Sequence, residues 1–428
     1  MLGNSEKHLN TTFVKEAINK VYNYLNSQIV TIQDNGKNYS GFLLDISKTK
    51  AEKKIGIGSV SVGLSMYMYD DNNDRNKMEE MCNFIIDKQL TNGGWTVSEL
   101  RNKGMALTYT TCYALTALIL FDGTKYKSNI EKGIDWLFQN KVLNEGWGYK
   151  ENDTSKIFAT AEVLKLIQVA KNKFFTINSS YEETIIKAKS WLIGQKENQY
   201  WKYNNKPSLF FTSHCYKALI NDNDYSISLQ QTQKWLISNL NNAPCIERIQ
   251  FMINSGDHTF RDQIECFTHS SIINSILSNK NMVYNKDIEE QMSILLTKKQ
   301  TNLGYFSCKD EHNSVPIFLN YNIVDTLDLY TSYLLRRVKP NFTKYIIDNF
   351  AFFPIQITLA SVLASIGFFA IIYNLKSVLA NIPLLYTKMT GFFEKQSGLA
   401  NFVTISGLSI AAFLPFLLKY LKKKRKDE

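Results

Sequence analysis

The sequence predicts an all-α chain: six helical hairpins in succession, then a two-helix hairpin that crosses a membrane. Three observations predict it. A motif of 15 residues recurs along the chain, apolar residues fall at helical spacing, and two uncharged apolar runs near the C-terminus are bounded by basic clusters.

The composition fits a folded chain. Of 428 residues, 44% are hydrophobic and 13% aromatic, with 7 prolines. The net charge is +10, and much of it sits in Leu334 to Lys344 and in the closing "KYLKKKRKDE". Both clusters flank apolar segments, so they suit membrane lipids, and no nucleic-acid recognition motif accompanies them. Six cysteines lack C-x-x-C spacing and read as buried thiols in a reducing compartment. The first twenty residues carry no charged-then-apolar signal sequence.

The repeat defines the units. "MCNFIIDKQLTNGGW" (Met81 to Trp95) aligns without gaps on "MSILLTKKQTNLGYF" (Met292 to Phe306), matching Gln89 to Gln300 and Gly93 to Gly304. Weaker copies contain Trp147 and Trp201. The anchor pairs Tyr24-Leu25, Phe84-Ile85, Trp136-Leu137, Trp191-Leu192, Trp235-Leu236 and Leu295-Leu296 are spaced by 60, 52, 55, 44 and 60 residues. Six units of two helices follow. The second helices are self-similar too, as in "TCYALTAL" from Thr111, "TAEVLKLI" from Thr160 and "TSHCYKAL" from Thr212. Such units stack into a closed double ring, second helices inside, or into an open solenoid. The domain expectation is a cytoplasmic repeat domain over 1–338 and a membrane anchor over 339–428. Its spans run over about 350–373 and 399–418, with a basic tail, and both chain ends lie on the cytoplasmic side of the cell membrane.

The pattern F-I-x3-Q-x3-G-x-W, from Phe84 to Trp95, resembles the glutamine-tryptophan motif of squalene cyclases. The layout over residues 10 to 335 is similar to the prenyltransferase and terpenoid cyclase α/α-toroid superfamily. That resemblance implies an (α/α)6 toroid and a lumen for an isoprenoid or other apolar ligand. If the chain is an enzyme, the resemblance implies a prenyl transferase or a cyclase-like lyase.

The repeat residues Gln89, Gly93, Trp95, Trp147, Trp201, Gln300 and Gly304 read as structural staples. A glutamine amide satisfies backbone groups at a helix end, and the aromatic ring covers the next outer helix. "DDNND" (Asp70 to Asp74) spells the magnesium-diphosphate motif of class I terpene synthases, but it follows a helix end and contains turn-favouring Asn-Asn, so it reads as an acidic loop. The D-x-D-D acid of squalene-type cyclases is absent from the sequence. Protein prenyltransferases hold zinc with Asp, Cys and His. Their D-x-C-Y element is similar to Ser213 to Tyr216, which supplies Cys215 but replaces the aspartate by serine; His269 is the histidine candidate, and Asp262 or His214 the substitute ligand. The set is incomplete, and buried thiols with a hydrogen-bonded histidine is the competing reading.

One register of the second helices carries Tyr113, Glu162, His214, Ser270 and Asp325 amid apolar neighbours. These are lumen candidates for a polar band, or they face a wide, water-filled ring. Glu162 and His214 belong to adjacent units and are expected to pair, raising the histidine pKa and lowering that of the glutamate. Dense aromatics (Tyr149, Tyr203, Phe210, Phe211 among them) are either core or the carbocation-stabilising wall that the resemblance implies. Two functions follow: an enzyme or carrier of an isoprenoid-type lipid, or a non-catalytic sensor whose membrane hairpin is the effector.

Overall fold

The computed structural model describes the backbone of residues 11–44, 55–68, 73–220, 222, 225–255, 258–279, 282, 285–307 and 317–350. Helices pair along the chain. The first pair is α1 (Thr11–Gln28) and α2 (Ile57–Tyr67), joined through the antiparallel hairpin β1 (Val30–Asp34) and β2 (Lys37–Gly41). The second is α3 (Arg75–Asp87) and α5 (Thr108–Asp122), with the single turn α4 (Ser98–Arg101) between them. Then come α6 (Lys127–Gln139) with α7 (Ile157–Asn172), and α8 (Glu182–Gly194) with α9 (Leu209–Leu219), the latter joined through the two-residue strands β3 (Lys202–Tyr203) and β4 (Lys206–Pro207). The fifth is α10 (Ser226–Leu240) and α11 (Thr268–Leu277), joined through β5 (Ile246–Ser255) and β6 (His258–Phe267). The last is α12 (Lys286–Ile294) and α13 (Ile317–Phe350). The helical expectation holds in the main, and among the described residues three antiparallel hairpins join helices within units.

Burial separates the two sets of helices. In α5, ten residues from Thr108 to Ile119 are buried, on all faces, whereas α6 buries one face, with Ile130, Ile134 and Leu137 inward. A helix apolar all round is enclosed by neighbours, so the second helices form the inner ring. They pack in succession: α2 on α5, α5 on α7, α7 on α9, α9 on α11. Ser270 of α11 shares a 2.7 Å hydrogen bond with Thr326 of α13. The Phe318 ring of α13 rests on Gly58 of α2.

The repeated motif shows how units join. The Trp95, Trp147 and Trp201 indoles donate Nε1–H to the carbonyls of Ile85, Leu137 and Leu192 at 2.6, 2.7 and 2.8 Å, within their own units. Their backbone N–H groups donate to Thr111, Thr160 and Thr212 at the starts of the inner helices, at 2.9, 3.0 and 3.0 Å. The Trp95 ring also lies against Gly133 of the next outer helix. Gln89 donates to Asn129 O of α6 at 2.9 Å and to Gly93 O at 2.7 Å. Gln300 repeats this geometry 283 residues back along the chain, donating to Ala17 O of α1 at 2.8 Å and to Gly304 O at 2.9 Å. Gly93 and Gly304 both take positive φ, +97° and +107°, and press on the carbonyls of Lys132 and Lys20. The sixth unit thus clasps the first as the second clasps the third. The ring is closed, and the open solenoid is excluded.

Cys82, Cys112, Cys215 and Cys266 are free and buried, as expected, but Cys245 is disulfide-bonded, which corrects the reading of all six as thiols. The chain divides into two compact units, Met1–Pro340 and Asn341–Glu428. The expected membrane spans lie outside the described residues, beyond Phe350. No helix among the described residues is long and apolar enough to cross a membrane.

Candidate functional site

The two mouths of the ring differ. Where the inner helices begin, the β5–β6 hairpin lies across them. Phe251, 1% exposed, stacks on Phe158 at 4.9 Å and on Tyr109 at 6.0 Å between ring centroids, with Tyr149 edge-on at 5.0 Å. Phe210 stacks on the far side of Phe158 at 5.7 Å. Polar latches hold the hairpin down. The Tyr109 hydroxyl donates to the Asp262 carboxylate, and Glu247 accepts from the Ser208 hydroxyl and, at 2.9 Å, from the Phe210 N–H at the start of α9. Burial raises the pKa of Asp262 and of Glu247, against the hydrogen bonds they accept. The aromatic residues are therefore a packed plug at this mouth.

From the other mouth, where the inner helices end, a cavity of about 580 Å³ runs inward. Val62, Leu120, Leu166, Val169 and Leu329 supply its apolar wall, with Tyr113, Thr116 and Tyr321 beside them. Its polar floor joins four helices. Glu162, 4% exposed, takes Lys165 Nζ at 2.7 Å and His214 Nε2 at 3.3 Å on one carboxylate oxygen. Lys217 donates to Asp325 at 2.8 Å and to the Asn274 side-chain oxygen Oδ1 at 2.6 Å, while the Asn274 amide N–H donates to Asp325 at 2.9 Å.

Burial pushes the pKa of Glu162 up, but the Lys165 charge and the His214 hydrogen bond together outweigh it, so the carboxyl stays ionised below its ordinary range. Asp325 behaves alike: burial raises it, and Lys217 and Asn274 pull it lower overall. His214 departs from expectation. Burial and the Lys165 charge press its pKa down, Lys217 adds to them, and the pull of Glu162 loses, so the imidazole is neutral near pH 7.

Of the five register positions, Tyr113, Glu162 and Asp325 line this cavity, and His214 reaches it through Glu162. Ser270 does not: it is buried between α11 and α13, bonded to Thr326 and to Asn322 O. Sequence reading missed Lys165 and Lys217. Each stands three residues after a register position (Glu162 and His214), hence on the same helix face one turn on, and that spacing is the signal that finds them.

The zinc set is not assembled. Among the described residues, no three His, Cys, Asp or Glu side chains come together where they could hold a metal. Asp262 is engaged by Tyr109 on the hairpin, burial raises the Cys215 thiol far above its ordinary pKa, and Ser213 offers no carboxylate. Burial and the Lys299 charge lower the pKa of His269. In "DDNND", Asp74 caps α3, accepting from the Asn76 N–H at 3.0 Å.

No family model and no curated protein matches this sequence. Solved structures do. The type II terpene cyclase MstE from Scytonema superposes with a TM-score of 0.50 at 11% identity, over 76% of this chain and 100% of that one. A family 76 glycoside hydrolase from a bovine Bacteroides thetaiotaomicron strain gives 0.52 at 11% identity, over 75% and 79%. A family 76 mannosidase from Bacteroides thetaiotaomicron gives 0.51 at 8% identity, over 76% and 99%. The chain has the α/α-toroid fold that terpenoid cyclases share with these hydrolases. At such identity the likeness is one of fold.

Proposed function

We propose that the toroid is a non-catalytic ligand-binding module, that its ligand enters by the mouth where the inner helices end, and that α13 carries the response to a membrane-embedded segment over 350–373 and 399–418. In this reading the toroid and the C-terminus are cytoplasmic. The observation that carries it is the Phe251 plug, which fills the lumen at the mouth where the inner helices begin. The chemistry of the floor supports it. A cyclase needs a protonated acid facing substrate, and Glu162 and Asp325 are ionised and paired to lysines. A prenyl transfer needs an activated thiolate or a metal, and burial keeps the Cys215 thiol protonated.

A second reading, a lumen that holds or processes an isoprenoid-type lipid, is favoured by the apolar wall of Val62, Leu166 and Leu329. One experiment separates the two. The purified chain is incubated with geranylgeranyl diphosphate and with a linear polyprene, and products are followed by mass spectrometry. Absence of turnover is the expected result; steady product formation by the wild type that Cys215→Ala or Glu162→Gln abolishes overturns the non-catalytic reading. Expressing the chain with and without residues 350–428 and following membrane potential tests the effector half. Identical potentials in the presence of the activating signal count against it.

A further inference from the structure

We propose, resting on the ligand-binding reading above, that the cavity floor binds a small oxyanion of the phosphate class between Lys165 and Lys217, and that α13 reads this binding through Asp325. An ammonium group carries three N–H donors. Lys165 gives one of them to Glu162 at 2.7 Å, and Lys217 gives two, to Asp325 and Asn274. Three ammonium N–H groups therefore have no acceptor among the described residues, and the Tyr113 and Thr116 hydroxyls line the same space. The nearby carboxylate oxygens are doubly used: one of Glu162 by Lys165 and His214, one of Asp325 by Lys217 and Asn274. With three ammonium N–H groups to spare on two adjacent helices, the floor suits a ligand rich in acceptors. Charge-assisted hydrogen bonds to a tetrahedral oxyanion suit two ammonium groups from adjacent helices better than one carboxylate does.

The second half follows from connectivity. Lys217 stands on α9, Asn274 on α11 and Asp325 on α13, so a single ammonium ties three inner helices together. An oxyanion that draws Lys217 toward itself competes with Asp325 for it. It thereby weakens the hold of the ring on α13, the helix that continues without a break to Phe350. A ligand acts on such an element only by its differential affinity for the two arrangements, and here the shared lysine supplies the difference.

The test uses the full chain in detergent with inorganic pyrophosphate as probe, by isothermal titration calorimetry. Binding is expected, weakened about tenfold or more in Lys165→Gln and in Lys217→Gln, as loss of a charge-assisted bond predicts. Lys165→Arg and Lys217→Arg keep binding and guard against misfolding, and Lys127→Gln, an exposed site on α6, leaves it unchanged. Hydrogen exchange in α13 rises with pyrophosphate in the wild type and not in Lys217→Gln. Pyrophosphate binding indifferent to both lysine substitutions overturns the proposal. A neutral apolar probe such as farnesol that binds and is blocked by Thr116→Trp, with no pyrophosphate binding, overturns the oxyanion class and leaves a ligand-binding lumen. Absence of binding by either probe overturns both.

Discussion

Replacing Gly304 by alanine sets a methyl carbon 2.2 Å from the Lys20 carbonyl oxygen of α1, at a backbone φ of +107°. Ordinary contact is about 3.5 Å, so the seam between the last unit and the first must open by more than about 1 Å. The backbone term costs about 1–3 kcal/mol for a non-glycine residue. The opening also stretches the hydrogen bond from Gln300 to Ala17 O that crosses the seam, at 2.8 Å, contributing about 1 kcal/mol. The expected loss is about 2–4 kcal/mol. Gly93→Ala makes the same clash with Lys132, at 2.5 Å, inside the ring, so it is the internal standard. Equilibrium urea unfolding reports both, with the buried Trp95, Trp147 and Trp201 as the fluorescence signal. Agreement of the two variants within about 1 kcal/mol is the closed-ring result. A Gly304→Ala that costs no more than its backbone term, while Gly93→Ala costs the full amount, refutes the closure argument.

Three further outcomes are expected. Phe251→Ala removes a buried ring stacked on two others and destabilises by about 3–5 kcal/mol, read by thermal unfolding; a loss under about 1 kcal/mol denies the plug. Glu162→Gln leaves Lys165 short of its counter-charge and costs about 3 kcal/mol, whereas the double variant Glu162→Met with Lys165→Met recovers most of it; additive losses mean the two do not act as a pair. The His214 pKa is lowered in the fold, so the unfolded chain takes the proton first and stability falls as pH drops below about 6.5. Glu162 and Lys165 from α7 and Lys217 from α9 face this imidazole, and ionised Glu162, also lowered, adds its loss only below about pH 4.3. His214→Gln therefore flattens the upper part of that slope, and a wild-type slope unchanged by the substitution contradicts the assignment.

The units were legible because Trp, Gln and Gly recur at fixed offsets from each helix end, and each makes a local bond. Even the threonine that opens the inner helices proves to have a task, accepting the Trp N–H; Thr268 keeps the residue without that partner, and its hydroxyl is buried without a hydrogen bond. In its unit the β5–β6 hairpin replaces the Trp turn. The hairpins were less legible. Ile249, Phe251 and Ile253 alternate at period two over a short stretch only, and the turn of β1–β2 is announced by two residues, Asn35 and Gly36, both at positive φ. Closure was not legible, because the acceptor of Gln300 on α1 is remote in sequence and every unit looks alike along the chain. The site was legible by half. The carboxylates and His214 stood out against apolar neighbours, while Lys165 and Lys217 passed as solvated lysines on a basic chain. The direction of the histidine shift was not legible because the sequence names its carboxylate partner but shows neither the depth of its burial nor the two ammonium groups beside it.

The lumen is open from one mouth and plugged at the other, and cysteine accessibility measures this difference directly. Thr116 lines the cavity, and Ala159, fully buried, follows Phe158, whose ring stacks on Phe251 of the plug. Native Cys82, Cys112, Cys215 and Cys266 are buried and give a low background. With a small methanethiosulfonate reagent on the full chain, the account predicts rapid modification of Thr116→Cys and protection of Ala159→Cys. Equal rates at both positions, or faster reaction at Ala159→Cys, would contradict it.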